Sequence, residues 1–400
     1  MYNLHLSPEQ LEFRDTVRDF VDGEVTPVTL NAHRLDAGDR SLPVELLRKA
    51  SQMGLRTLAL AEEFDGVGAD CLTGCIVTEE LAAGDADVAA VLTETSALAR
   101  LLFSAMTPQQ RERFLPAFLK DDDFHLALAC REPGDDSALG INYHRDAPAM
   151  RLKTNAKRDG DHWIVNGAKD FIANAPIAKL IAVEAQTDDG SALFLVPRAT
   201  VGLTVSDQPE PRWYHGSCGQ IWLKDVRLPA EHRLDVGGPV DTSRAKPLAS
   251  ALNLGIGRAA TEAALEYAGL RIQGGRRLIE HQAIGAKLAD CAIRLDLART
   301  AIWRAAWAAD HPEATADRSL PDLPIAAMAH VFVSEAIHRV TKDAAECFGA
   351  MGVMRDMPLQ KYIHDALICL HTGDGNADAR LRIAEALASH RRGAEALAAE

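Results

Sequence analysis

The middle of the chain reads EPGDDS at residues 132–137, WIVNGAKDFIAN at residues 163–174 and LKDVRLPAE at residues 223–231. Short apolar runs in this region are separated by Gly, Pro and Asp, as in the hairpin sequence RDGD at residues 158–161. Turn residues around short apolar runs are typical of β-strands, whereas both flanking regions have helical periodicity. The sequence therefore predicts a β domain between two helical domains.

The first flanking region has clear helix boundaries. Ser7-Pro8 followed by Gln10, and Thr107-Pro108 followed by Gln110, have the pattern of an N-terminal capping box. A glycine at position 54 is placed to end a helix that begins at Pro43. These signals predict a helical bundle with few strands.

The predicted fold class is α+β with three domains. Residues 1–124 form an N-terminal helical bundle, residues 125–236 a small, mostly antiparallel β-barrel or sandwich, and residues 237–400 a C-terminal four-helix bundle. Long apolar periods predict C-terminal helices at residues 246–272, 285–309 and 324–348, with a plain loop at residues 311–324.

Composition excludes several classes of function. A net charge of −14 argues against a nucleic-acid surface, which needs clustered Lys and Arg. The seven cysteines are scattered without the paired spacing of a zinc site. The N-terminus lacks the pattern of a secretory signal, and we expect no apolar run that approaches the roughly 18 residues of a membrane span. We expect a cytoplasmic protein.

The three opening segments, in this order and with helical flanks, resemble the acyl-CoA dehydrogenase family, whose usual strings are TEPGxGS, NGxKxWITN and DVxVP. The resemblance runs over residues 6–388. It implies FAD as cofactor, an acyl-CoA thioester as substrate, and a homo- or hetero-tetramer of dehydrogenase-like chains that is served by an electron-transfer flavoprotein. In such a reaction a carboxylate takes the α-proton and the flavin N5 takes the β-hydride.

The resemblance assigns four residues of the middle domain to the cofactor. Ser137 is retained, and Arg131 stands where the family has Thr. Phe171 replaces the Trp that shields the flavin, and Ala173 replaces the Thr or Ser that donates to N5. Phe can still stack on a ring, whereas Ala cannot donate a hydrogen bond.

Four further residues are assigned to the cofactor on the C-terminal arm. Arg271 matches an Arg that reaches the neighbouring protomer's flavin, although Gly274 replaces the Phe that accompanies it. Gln282 matches a cofactor contact. Glu346 replaces a Gln, and Gly349 belongs to the glycine turn that follows.

The catalytic base is missing from both positions known in the family. The usual Glu aligns with Gly373, and the alternative Glu aligns with Ala245. Asp374, one residue from the usual place, is the candidate base, with Asp241 and His371 as weaker candidates. In the other interpretation, Asp374 only caps the last helix.

Three functions fit these observations. The first is an FAD-dependent acyl-CoA dehydrogenase with an unusual base. The second is a non-catalytic or half-site partner subunit of a heteromeric dehydrogenase. The third is a flavoenzyme, such as a monooxygenase or a desulfinase, that needs no α-proton base.

Overall fold

The N-terminal part of the computed structural model is helical. The structure describes residues 5–35, 40–134, 152–208, 214–235, 242–371 and 375–397. Ahead of the first strand, the described part contains α1 (Pro8–Phe20), α2 (Thr26–Thr29), α3 (Val44–Gln52), α4 (Cys71–Gly84), α5 (Ala86–Ala105) and α6 (Pro108–Lys120).

The local signals for helix boundaries are confirmed. The hydroxyls of Ser7 and Thr107 accept hydrogen bonds from the backbone N–H groups of Gln10 and Gln110, whose side chains reach back to complete both capping boxes. Gly54 follows α3 with φ of +83°, a left-handed conformation that glycine adopts without steric cost. Short-range chemistry is therefore sufficient to set these ends.

Helix α5 corrects the expectation that the chain has no apolar run of membrane-spanning length. Among the described helices, it is long and apolar enough to cross a membrane by length and composition alone. Of its apolar window, 56% is buried inside the protein. Because α5 packs between other elements of the core, such as α4 and β1 (His125–Ala129), its apolar character is explained by packing.

The middle region is a mostly antiparallel sheet, as predicted. Its further strands are β2 (Asn155–Asp159), β3 (His162–Ala173), β4 (Ala178–Thr187), β5 (Gly190–Pro197), β6 (Leu203–Asp207), β7 (Cys218–Pro229) and β8 (Arg233–Leu234). The order in the described sheet is β6-β7-β3-β2-β4-β5-β8, with β1 parallel to β4. Alternating residues such as Val165, Phe194 and Ile221 are fully buried and form the core of this sheet.

The C-terminal region is again helical. Its helices are α7 (Ala245–Leu270), α8 (Gln282–Asp310), α9 (Glu313–Ala316), α10 (Ile325–Cys347), α11 (Leu359–His371) and α12 (Gly375–Leu397). Between α7 and α8, strands β9 (Ile272–Gln273) and β10 (Arg276–Arg277) form a small hairpin. The expectation of a plain loop at residues 311–324 is wrong, because α9 lies there and buries Ala314.

Helices α4 and α7 approach each other closely at Gly255. A Cβ atom at this position would lie 2.4 Å from the carbonyl oxygen of Glu79 and 2.7 Å from the Cβ of Ala82. Such distances leave no room for a side chain, so glycine is required at this crossing.

A buried ion network joins the two helical regions. Glu80 of α4 accepts from Arg18 of α1 at 2.8 Å and from Arg258 of α7 at 2.6 Å. The neighbouring Glu79 pairs with Arg299 of α8 at 2.6 Å. Because both carboxylates are almost fully buried, each depends on its arginines for compensation of lost hydration.

Replacement of Glu80 should destabilise the protein strongly. Glu80→Gln removes the nearest counter-charge of Arg258 in a buried site and leaves it the longer contacts to Glu79 at 3.6 Å and Glu262 at 3.9 Å. We expect the free energy of unfolding to fall by about 3 kcal/mol. The matched control is Glu335→Gln, which breaks an exposed pair with Arg380 and should cost less than about 1 kcal/mol. Chemical denaturation of the three proteins measures both effects, and equal losses would contradict the assignment.

Candidate active site

A cavity of about 650 Å³ lies between α4, α5 and α7. Leu128 of β1 and Ala173 of β3 also line it. Most of the wall is apolar, and its aliphatic members include Leu55, Leu58, Val77, Leu81, Leu92, Leu98, Leu101, Leu248 and Leu252. A cavity of this size and character fits a small, largely apolar ligand.

The cavity has a polar end and an apolar end. Asp70 and Arg244 lie at the N-termini of α4 and α7, and Arg100 lies in the second half of α5. Because α5 runs back along α4, these residues gather at one end of the cavity. Arg244 forms an ion pair with Asp310, which also accepts from the backbone N–H of Cys71 at 2.8 Å.

Helical spacing places one face of α5 on the cavity. Ala90, the adjacent pair Thr93 and Glu94, Ala97 and Leu101 follow one another at intervals of three or four residues, and all of them line it. The Thr93 hydroxyl is 2.9 Å from the Thr78 hydroxyl of α4, so a hydrogen bond crosses the wall. Glu94 is the acidic residue on this face of the helix.

Asn174 fixes the position of Ala173 beside α5. Its side-chain amide donates to the carbonyl of Val91 and to the hydroxyl of Thr95, both at 3.1 Å. Its backbone N–H donates to Ser217 at 2.7 Å, and its φ of +62° turns the chain at the end of β3. The strand that ends at Ala173 is therefore held directly against the turn of α5 that carries Glu94.

Phe171 sits at an irregular point of β3. The pairing of β3 with β7 shifts register between Lys169 and Ile172, and Phe171 takes a left-handed φ of +51°. The Arg131 guanidinium lies over the Phe171 ring, with its central carbon 4.7 Å from the ring centroid. The structure thus brings together two of the residues assigned to the cofactor, and they contact each other.

Glu132, at the start of the turn, anchors the sheet. Its carboxylate accepts from the backbone N–H groups of Lys153 and Thr154 at 2.8 and 2.7 Å, and Lys169 Nζ lies 3.3 Å away. Burial alone would raise the pKa of Glu132, but the hydrogen bonds from Thr154 and Lys153 and the charge of Lys169 outweigh it and lower the pKa to about 2. This carboxylate is ionised and structural.

The environment of Glu94 is opposite to that of Glu132, whose charge is compensated. Its side chain is partly accessible and lines the cavity, whose wall is mostly apolar. Within the described chain, it has no hydrogen-bond or ion-pair partner. Burial therefore raises the pKa of Glu94 to about 7.

A second buried charge cluster fixes α11. Asp365 pairs with Arg40 at 2.8 Å and with Lys361 at 3.0 Å, and Lys361 lies 3.5 Å from Asp85. Burial disfavours the Asp365 carboxylate, but Lys361 and Arg40 together hold its pKa well below the usual range. This helix ends at His371, which is exposed.

The remaining predicted residues are distributed as follows. Arg271 and Gln282 flank the hairpin between α7 and α8 and are exposed, as are Glu346 and Gly349 at the end of α10. Glu346 forms an ion pair with Lys287. Ala245 is the first residue of α7 and lines the cavity. Ser137, Asp241, Gly373 and Asp374 lie outside the described residues.

The described donors fit a flavin nucleotide except at one contact. Phe171 offers a ring for stacking, and the guanidinium groups of Arg131 and Arg271 suit anionic oxygens. Ala173 presents only a methyl group to the cavity, so the side-chain hydroxyl expected at N5 is lost. Sequence reasoning missed Glu94, although a single Glu in the apolar stretch at residues 86–99 was the available signal.

Comparison with known proteins agrees with this architecture. Residues 7–122, 144–226 and 243–388 match the sequence models of the acyl-CoA dehydrogenase N-terminal, middle and C-terminal domains. The mitochondrial short-chain specific acyl-CoA dehydrogenase of Bos taurus is 30% identical, over 89% of this chain and 84% of that protein.

Solved structures show the same fold. The butyryl-CoA dehydrogenase of Megasphaera elsdenii aligns with a TM-score of 0.81 at 25% identity, over 96% of this chain and all of that one. The structure of PigA with FAD and proline aligns with a TM-score of 0.79 at 23% identity, over 97% and 99% of the two chains.

Removal of the Glu132 charge should destabilise the protein in a pH-dependent way. Since its pKa is about 2 in the folded state and about 4.5 when unfolded, its contribution is complete above pH 4.5 and is lost as pH falls towards 2. We expect Glu132→Gln to lower the free energy of unfolding by about 3 kcal/mol at pH 7 and by less at pH 3. Denaturation over this pH range measures the difference, and a constant gap would contradict it.

Glu94→Gln should raise the free energy of unfolding at high pH, whereas Glu132→Gln should lower it. The folded protein retains a proton on Glu94 up to about pH 7, so ionisation costs stability as pH rises from about 4.5 to 7. The variant should match the wild type near pH 4.5 and exceed its free energy of unfolding by about 2 kcal/mol at pH 8. A variant less stable than the wild type at pH 8 would show that the carboxylate has a compensating partner.

Proposed function

Because the chain belongs to the acyl-CoA dehydrogenase family, we propose that it oxidises the Cα–Cβ bond of an acyl-CoA thioester with FAD as cofactor. The observation that carries this proposal is the cavity of about 650 Å³, which combines a long apolar wall with a polar end. An acyl chain would occupy the apolar part between α4 and α7, and the thioester would lie nearer the polar residues. FAD would supply the hydride acceptor when bound.

The residues of this chain would bind and orient both molecules. Phe171 and Arg131 would contact the flavin, with Ser137 as the assigned contact in the capture loop. The apolar side chains of α4, α5 and α7 that line the cavity would limit the contact of an acyl chain with water. Since Ala173 donates no side-chain hydrogen bond, the cofactor would be oriented mainly by stacking and by backbone groups.

Assembly with further dehydrogenase-like chains is part of the proposal. Arg271, Gln282, Glu346 and Gly349 are exposed, and their assigned cofactor contacts would be made in a neighbouring protomer. The same region exposes large apolar side chains, including Leu270, Ile272 and Val353, at 74%, 64% and 72%. A homo- or hetero-tetramer would cover them. We further propose a cytoplasmic location and an electron-transfer flavoprotein as the electron acceptor.

The partner-subunit function has its own support. Arg131 lies over Phe171, the N5 position carries Ala173, and the cavity wall has Ala245 at an expected base position. These exchanges suit a chain that completes an assembly in which another subunit performs the oxidation.

A visible spectrum of the purified chain, followed by anaerobic addition of acyl-CoAs, distinguishes the two functions. A dehydrogenase should show flavin bands near roughly 370 and 450 nm, and butyryl-CoA or a longer acyl-CoA should bleach the second band. A protein that stays colourless after incubation with FAD and desalting would overturn the dehydrogenase proposal and favour the partner subunit. Acyl-CoA oxidation should then appear only when a second dehydrogenase-like chain is added.

A further inference from the structure

Glu94 is a carboxylate of the cavity wall that the assigned chemistry does not use. It lies on the face of α5 that lines the cavity, and no described residue forms a hydrogen bond or ion pair with it. Lone carboxylates are rare in apolar surroundings because desolvation disfavours their charge. A carboxylate retained under these conditions requires a reason that packing does not provide.

The position of Glu94 relative to Ala173 provides a reason for a carboxylate at this place. Asn174 holds the end of β3 against Val91 and Thr95, which flank Glu94 on α5. Glu94 and Ala173 both line the cavity. The family resemblance places Ala173 beside the hydride acceptor, so the α and β carbons of a bound acyl group would lie near this wall.

The charged and titratable groups around the cavity leave the Glu94 carboxylate available. Cys130 follows β1 and lies within electrostatic range of Glu94. At the polar end, Asp70 caps α4 by accepting from the backbone N–H of Thr73, and Arg244 is paired with Asp310. Arg100, six residues along α5, lines the same cavity and lies within electrostatic range of Asp310. Of the two family positions for the base, the structure describes position 245. This position carries Ala245, which lines the same cavity.

We propose that Glu94 is the general base that removes the α-proton of the acyl thioester. In this step the Cα–H bond breaks, an O–H bond forms on the Glu94 carboxylate, and the electron pair moves into the thioester as an enolate. The proton then leaves from the carboxylic acid to solvent. In the full oxidation, the same electron pair would form the Cα–Cβ double bond as the Cβ–H bond breaks, and FAD, the cofactor of the proposed function, would accept the hydride. This assignment rests on the proposed dehydrogenase function.

The environment of Glu94 suits this role. A general base works best when its pKa lies near the working pH, and burial raises that of Glu94 to about 7. Since only the ionised form accepts a proton, the rate of proton removal should rise as pH increases through about 7 and then level off.

The test is exchange of the acyl α-proton with D₂O, measured on the FAD-loaded protein by mass spectrometry of butyryl- to octanoyl-CoA. Flavin bleaching is followed in parallel. Glu94→Gln should reduce both rates at least about 100-fold, the usual contribution of a general base. Glu94→Asp, which keeps the carboxylate one methylene shorter, should retain part of the exchange and its rise with pH. Glu112→Gln, an exposed change on α6, is the matched control and should leave both rates unchanged.

The possible outcomes distinguish a wrong assignment of the base from a wrong function. If the wild type exchanges protons and bleaches while Glu94→Gln does so within about threefold of the same rates, the base lies elsewhere and the dehydrogenase function stands. If the wild type neither exchanges nor bleaches with any acyl-CoA, the proposed function fails and the assignment of Glu94 falls with it. Infrared spectroscopy provides a readout independent of turnover, since a protonated carboxyl band should titrate near pH 7 and be absent from Glu94→Gln.

Discussion

The side-chain amide of Asn174 is the contact on which the geometry of the cavity depends. It joins the end of β3 to the Val91–Thr95 turn of α5 through two hydrogen bonds, so a sheet and a helical bundle meet at a fixed distance. Buried amide groups are costly unless their hydrogen bonds are made, which makes this junction specific. This junction places Ala173 and Glu94 in the same wall of the cavity.

The ionisable groups around this junction behave according to their partners. Glu132 and Asp365 are buried with cations and backbone donors, so both remain charged and hold elements together. Glu94 lacks such partners and has the raised pKa of a group that can exchange a proton near neutrality. The surroundings alone thus divide these three carboxylates into two that stay charged and one whose pKa is raised towards neutrality.

Features set by neighbours in sequence were predictable, and features set by tertiary contacts were not. The capping boxes at Ser7 and Thr107 depend on residues three positions apart, and they form as predicted. Glu132 was recognised only as part of a cofactor turn, because its partners Lys153 and Thr154 are about twenty residues away. The importance of Glu94 depends on what α4, α7 and β3 place around it. No spacing rule within α5 contains that information.

The close crossing of α4 and α7 at Gly255 has a further consequence. Leu81 and Leu252 line the apolar end of the cavity, and Gly255 lies one turn beyond Leu252 at the point where the two helices touch. The two backbones therefore touch just beyond the last lining residues of the cavity. Any larger residue at position 255 would push the two helices apart, and the distance between Leu81 and Leu252 across the cavity would grow with that separation.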